Sequence, residues 1–111
     1  MAKENKFAKV EGLLYAYKTL PCVIKGLELK YRETGYDTVK EELEAKKLTY
    51  DIANNMIEFL KLYDEEAYQV IKLKYIDKCT WLQVALQMNM GERTVQRIRD
   101  NIIKKQLIAF V

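Results

Sequence analysis

The sequence has no histidine, two cysteines, one proline and four glycines in 111 residues. Without histidine there is no imidazole for acid–base work and no Cys/His zinc set, and Cys22 and Cys79 alone cannot build a disulfide framework. Such sparing thiol use fits a reducing cytoplasm, the expected location. No apolar run approaches the roughly twenty residues of a membrane span, and Met1 to Lys9 shows neither the apolar core nor the cleavage site of a leader. Neither a membrane nor an export route is therefore expected. A Gly-rich phosphate loop is missing too, and the acidic residues fall on solvated helix faces without a recognisable pairing, so neither an enzyme nor a cofactor is expected. Alternation of period two, internal repeats and low-complexity tracts are absent as well, which leaves an all-α fold.

What is present is a globular composition, 50% hydrophobic and 32% charged, enough to bury one small core. The 19 basic and 16 acidic residues leave a net charge of only +3. Distribution says more than the total. Between Asn89 and Lys105, Arg93, Arg97, Arg99, Lys104 and Lys105 stand against Glu92 and Asp100, and five minus two gives a local excess equal to that of the whole chain.

Phe7, Val10, Leu14 and Tyr17 recur at helical steps, and Ile24, Leu27 and Tyr31 resume the pattern beyond Pro21. Proline lacks an amide donor and disfavours helical geometry at Leu20, so a kink or a new first turn is expected there. The stretch from Glu33 to Thr38 reads as the connector of a helical hairpin, whose second arm presents Leu48, Ile52, Met56, Phe59, Leu60 and Tyr63. The seam of Phe7, Val10, Leu14 and Tyr17 either joins two copies of the chain or packs against that second arm.

Asp64, followed by Glu65 and Glu66, has the form of an N-cap with acids in the first turn. The helix it starts is expected to run to about Ile76, burying Ala67, Val70, Ile71 and either Lys74 or Tyr75. A tight connection over Asp77 to Cys79 then leads to Thr80 as the next cap. Counted from Trp81, the small and apolar residues Ala85, Val84, Met88, Met90, Val95 and Ile98 follow the burial pattern of a helix-turn-helix, with Asn89 suited to left-handed backbone in the turn. Trp81 is read as a core anchor, Cys79 as an inert small residue.

Any packed pair of helices shows such spacing, and the opposite face is what suggests a function. Arg93, Gln96, Arg97, Asp100 and Lys104 share it. Arginine pairs bidentately with guanine and glutamine with adenine, and the start of a recognition helix is the part that reaches base edges. Glu92 lies in the first turn, where it complements the helix dipole or accepts from a cytosine amine.

The segment "KLKYIDKCTWLQVALQMNMGERTVQRIRDNI" resembles the C-terminal part of phage transcriptional regulators of the RinA and ArpU kind and, more distantly, the promoter-reading domain of bacterial sigma factors. The likeness covers Asp64 to about Lys105 and rests on "KYI", the tryptophan after a threonine cap, "VA" and "ERTVQRIR". It departs at Gly91, where serine is commoner. The resemblance implies a promoter-binding activator with RNA polymerase as a further candidate partner, and it puts Glu92, Arg93, Gln96 and Arg97 at groove-facing positions. Thr94 completes that turn. Lys78, Thr80 and either Lys104 or Lys105 would lie near phosphate, while Arg99 points away and is expected to pair with an acid of the bundle or to touch backbone.

The expected architecture is thus an N-terminal helical hairpin over residues 1–63, serving oligomerisation (as a homodimer) or partner contact, followed by a sigma-like helix-turn-helix over residues 64–111 that reads double-stranded DNA with a helix spanning 92–108. The rival readings are a small terminase-like DNA-packaging subunit and a sigma-like protein-interaction module that does not touch DNA.

Overall fold

The computed structural model describes residues 5–111, so the first four residues of the stretch read above for a leader lie outside the described residues. Among the described residues every regular element is helical: α1 (Lys6–Ala16), α2 (Leu20–Thr34), α3 (Asp37–Tyr63), α4 (Glu65–Ile71), α5 (Trp81–Met88) and α6 (Glu92–Lys105). A π-helical turn, Lys72–Ile76, extends α4, and a 3₁₀ turn, Leu107–Phe110, follows α6. Among the same residues no helix is long and apolar enough to cross a membrane.

The break at Pro21 is a full separation. Thr19 N–H turns back onto Ala16 O at 3.1 Å, and Pro21 sits in the first turn of a new helix, where its missing amide costs nothing. The two segments then go different ways. α2 pairs with α3, and Gly35 closes the link between them in the left-handed region (φ 65°) with its N–H on Tyr31 O at 2.7 Å. α1 leaves the hairpin and packs on α3, the π turn and the C-terminal elements. The seam residues Val10 and Leu14 are consequently 0% exposed within one chain, and Tyr17 donates to Asn54 Oδ1 at 3.0 Å.

α3 is about 40 Å long at 1.5 Å per residue and changes partners along its length. Its first half buries Val39 and Leu43 against Leu27, with Ile24 and Tyr31 alongside. Its second half places Met56, Ile57 and Leu60 in the main core. The face read from the sequence is shifted as a result: Leu48 and Tyr63 are exposed, at 62% and 56%, and Ile57 is buried in their stead. At 3.6 residues per turn Leu48 falls on the side of α3 opposite Val39, whereas Ile57 comes two heptads after Leu43 and keeps to the buried side.

Asp64 ends α3 with its N–H on Leu60 O at 3.0 Å and starts α4 by accepting from Ala67 N at 3.1 Å. The position that divides the hairpin from the helix-turn-helix in sequence therefore divides helices but not the core. Val10, Leu14, Met56, Ile57 and Leu60 pack in one cluster with Ala67, Ile71, Tyr75, Ile102, Ile103 and Leu107. A second cluster of Val70, Val84, Ala85 and Val95 belongs to the helix-turn-helix, and Ile98 packs against both.

One polar knot is set into this core. Arg99 on α6 donates from Nη1 to Glu11 Oε2 at 3.2 Å and to Tyr75 Oη at 3.0 Å, and from Nε to Asp100 Oδ1 at 2.6 Å. Tyr75 in turn donates to Glu11 Oε2 at 2.6 Å. The guanidinium lies over two rings, 4.8 Å from the centroid of Trp81 and 5.4 Å from that of Phe7, contacts that suit its weakly hydrated planar group. Burial and the hydrogen bond to Glu11 push the Tyr75 phenol above its ordinary value of 10.0, outweighing the opposing pull of Arg99.

Tyr75→Phe leaves the Glu11–Arg99 pair in place but strips one hydrogen bond from each, and should cost about 1 to 3 kcal/mol in urea denaturation at neutral pH. Because the folded state holds the phenol neutral while the unfolded chain ionises near 10.0, this stabilisation is complete below that pH and is lost as pH rises past it. The stability gap between native protein and Tyr75→Phe should therefore narrow on the alkaline side. A gap that widens there would contradict the assignment.

Candidate nucleic-acid interface

Two short-range devices build the helix-turn-helix. Thr80 accepts from Gln83 N at 3.2 Å through Oγ1 while its own N–H donates to Gln83 Oε1 at 2.8 Å, a reciprocal capping box that fixes the start of α5. At the other end Asn89 adopts the left-handed conformation (φ 55°, ψ 45°). The Met90 N–H bonds Ala85 O at 3.0 Å and the Asn89 N–H bonds Leu86 O at 3.3 Å, the paired bonds of a Schellman stop. Val84 and Ala85 are buried, and Trp81, Met88 and Met90 pack around them. Trp81 is only partly buried, and its ring also receives Lys74 Nζ at 4.9 Å from the centroid. Tyr75, not Lys74, takes the core position.

Gly91 caps α6 with ordinary extended backbone (φ −73°, ψ 156°) and no side-chain hydrogen bond. A Cβ at this position would meet nothing nearer than Thr94 Oγ1 at 3.9 Å, so the departure from serine is not forced by space. α6 buries Val95, Ile102 and Ile103. It ends at Lys105, three residues before the expected limit at 108. Gln106 leaves helical geometry (φ −124°, ψ −52°) and Leu107 turns into the main core.

Opposite the buried side, Arg93, Arg97, Asp100 and Lys104 form a single ridge at steps of four, three and four. Arg93 and Arg97 are exposed, and among the described residues no hydrogen bond or ion pair engages either. Glu92 and Thr94 are exposed and Gln96 is half-buried beside the ridge. Of the remaining expected site residues, Asp100, Lys78 and Thr80 are otherwise occupied. Asp100 is drawn to Arg99 by the 2.6 Å bond. Lys78 takes positive φ (60°), donates to Tyr15 O at 2.7 Å and lies 4.9 Å from the Tyr15 ring centroid, so it ties the connection to α1. Thr80 serves the capping box, and Lys104 Nζ sits 6.0 Å from the Phe7 ring centroid. Asn101, exposed one turn beyond Arg97, joins this side of α6; its spacing from Arg97 was the signal that could have found it.

The model of a family described as "Protein of unknown function (DUF722)" matches residues 24–107, from within α2 to the start of the 3₁₀ turn, and the chain belongs to that family. No curated protein and no solved structure matches it.

The two caps lead to opposite expectations in thermal or urea denaturation. Thr80→Ala removes half of the capping box and should cost about 1 kcal/mol, whereas Gly91→Ser adds an acceptor where none acts and should gain a few tenths of a kcal/mol. A Gly91→Ser protein less stable than the native chain would show that the glycine is required by a contact not seen here.

Proposed function

We propose that this member of the DUF722 family is a sequence-specific double-stranded DNA-binding transcriptional regulator of phage origin that lays α6 in the major groove. The observation that carries the reading is the division of the α6 cations. Arg99, on the inner side, is engaged through Nε and Nη1 with Asp100, Glu11 and Tyr75. Among the described residues no hydrogen bond or ion pair engages Arg93 or Arg97, which stand on an exposed ridge with Gln96 beside them.

Unpaired arginines at the start of the second helix, with an amide one turn away, supply the bidentate donors that guanine and the donor–acceptor edge that adenine require. Lys104, farther along the ridge, suits a phosphate rather than a base. Action on promoters, cytoplasmic location and contact with RNA polymerase are part of the proposal through the likeness of "KYI" and "ERTVQRIR" to regulators of the RinA and ArpU kind and to sigma factors.

Selection of bound duplexes from a random-sequence pool, followed by titration of variants, tests the reading. Arg97→Ala should relax one base position and cost roughly 1 to 3 kcal/mol, with smaller losses for Arg93→Ala and Gln96→Ala. Lys104→Ala should weaken all sequences evenly and lower the salt slope by about one. An Arg93/Gln96/Arg97 triple alanine protein that kept full discrimination would overturn the proposal. Absence of binding by the native chain even at low salt would favour a protein-interaction module in its place.

A further inference from the structure

Between Arg93 and Lys105 the only acid is Asp100, and it stands inside the ridge of cations. It follows Arg97 by three residues and precedes Lys104 by four, the two spacings at which opposite charges meet on a helix surface. Left to itself, its carboxylate would close an ion pair with one or the other. In the structure it closes neither. Asp100 Oδ1 accepts from Arg99 Nε at 2.6 Å, and among the described residues no ion pair engages Arg97 or Lys104.

Adjacent residues of a helix do not share a face, so the bond to Arg99 draws the Asp100 carboxylate off the line of the ridge and toward the inner side of α6. Asp100 is accordingly half-buried while Arg97 and Lys104 are exposed. Arg99 does not follow the carboxylate outward. Its Nη1 donates to Glu11 Oε2 at 3.2 Å and to Tyr75 Oη at 3.0 Å, and its guanidinium lies over the rings of Trp81 and Phe7. The side chain of Arg99 is 17% exposed against 40% for Asp100, so the cation is the anchored member and the acid the movable one. An exposed pair at helical spacing is weak, and a charge-assisted bond to a cation already fixed in place prevails over it.

We propose that Arg99 is a positioning residue of the reader: it holds Asp100 off the ridge and neutralises it, which keeps Arg97 unpaired and free to meet a base. This role rests on the DNA reading given above. Asp100 is then a held acid and makes no base contact of its own. Released from Arg99, it captures Arg97, and the competition of an exposed ion pair lowers affinity about two- to five-fold, with the loss falling on the base that Arg97 reads.

Titration of the full chain on its selected duplex, and on duplexes changed at one position at a time, tests this role. Asp100→Asn alone should leave affinity and discrimination within about two-fold of native. Arg99→Lys keeps a cation against Glu11 and Tyr75 but has no Nε for Asp100, and it should lose discrimination at the position that Arg97→Ala relaxes. Adding Asp100→Asn to Arg99→Lys should restore it. A packing defect would weaken all sequences evenly and would not be repaired by a change at Asp100. Absence of that rescue overturns the inference, and so does a larger effect of Asp100→Asn alone, which is read without disturbing Arg99. A native chain that selects no duplex removes the DNA reading and this role with it, whereas one that selects a duplex but shows no rescue loses the role alone.

Discussion

A guanidinium largely withdrawn from solvent needs acceptors for its donors, and half-buried Arg99 finds them for Nε and Nη1 in well-separated parts of the chain. Glu11 comes from α1, Tyr75 from the π turn, Asp100 from the next residue, and the guanidinium lies over the rings of Phe7 and Trp81. Because Arg99 can satisfy these groups only on the inner side of α6, the rotation of that helix about its axis is fixed. The ridge of Arg93 and Arg97 faces outward as a consequence. The same knot holds α1 against the helix-turn-helix, where Lys78 adds a second tie through Tyr15 O.

The rest of the architecture serves that placement. α4 offers Val70 to the helix-turn-helix cluster and Ile71 to the main core, so it is wedged between them. Ile98 spans both clusters from α6. α2 and the first half of α3 form a separate arm whose own core is three buried side chains. The arm therefore projects from the part of the chain that carries the ridge, joined to it by the continuous length of α3.

Charge is partitioned with the helices. α5, stiffened by its capping box and Schellman stop, carries none; α6 carries seven charged residues over fourteen positions, among them the cations of the exposed ridge.

Local signals in the sequence determined much of this chain. The helical class, the caps at Asp64 and Thr80, the left-handed turn at Asn89 and the burial steps from Trp81 to Ile98 were legible, since each depends on residues within a turn or two of one another. The exposed ridge was legible for the same reason: once one side of α6 is apolar, the other is defined. Only the tertiary structure decided that α1 abandons the hairpin, that Leu48 faces solvent while Ile57 does not, that Lys78 and Asp100 are tied down and that α6 stops at Lys105. Each of these turns on a choice between partners distant in sequence, as when Arg99 reaches Glu11 across 88 residues and Tyr75 reaches it across 64. Periodicity states which face of a helix is to be buried, but the identity of what buries it follows from competition among all such faces in the folded chain.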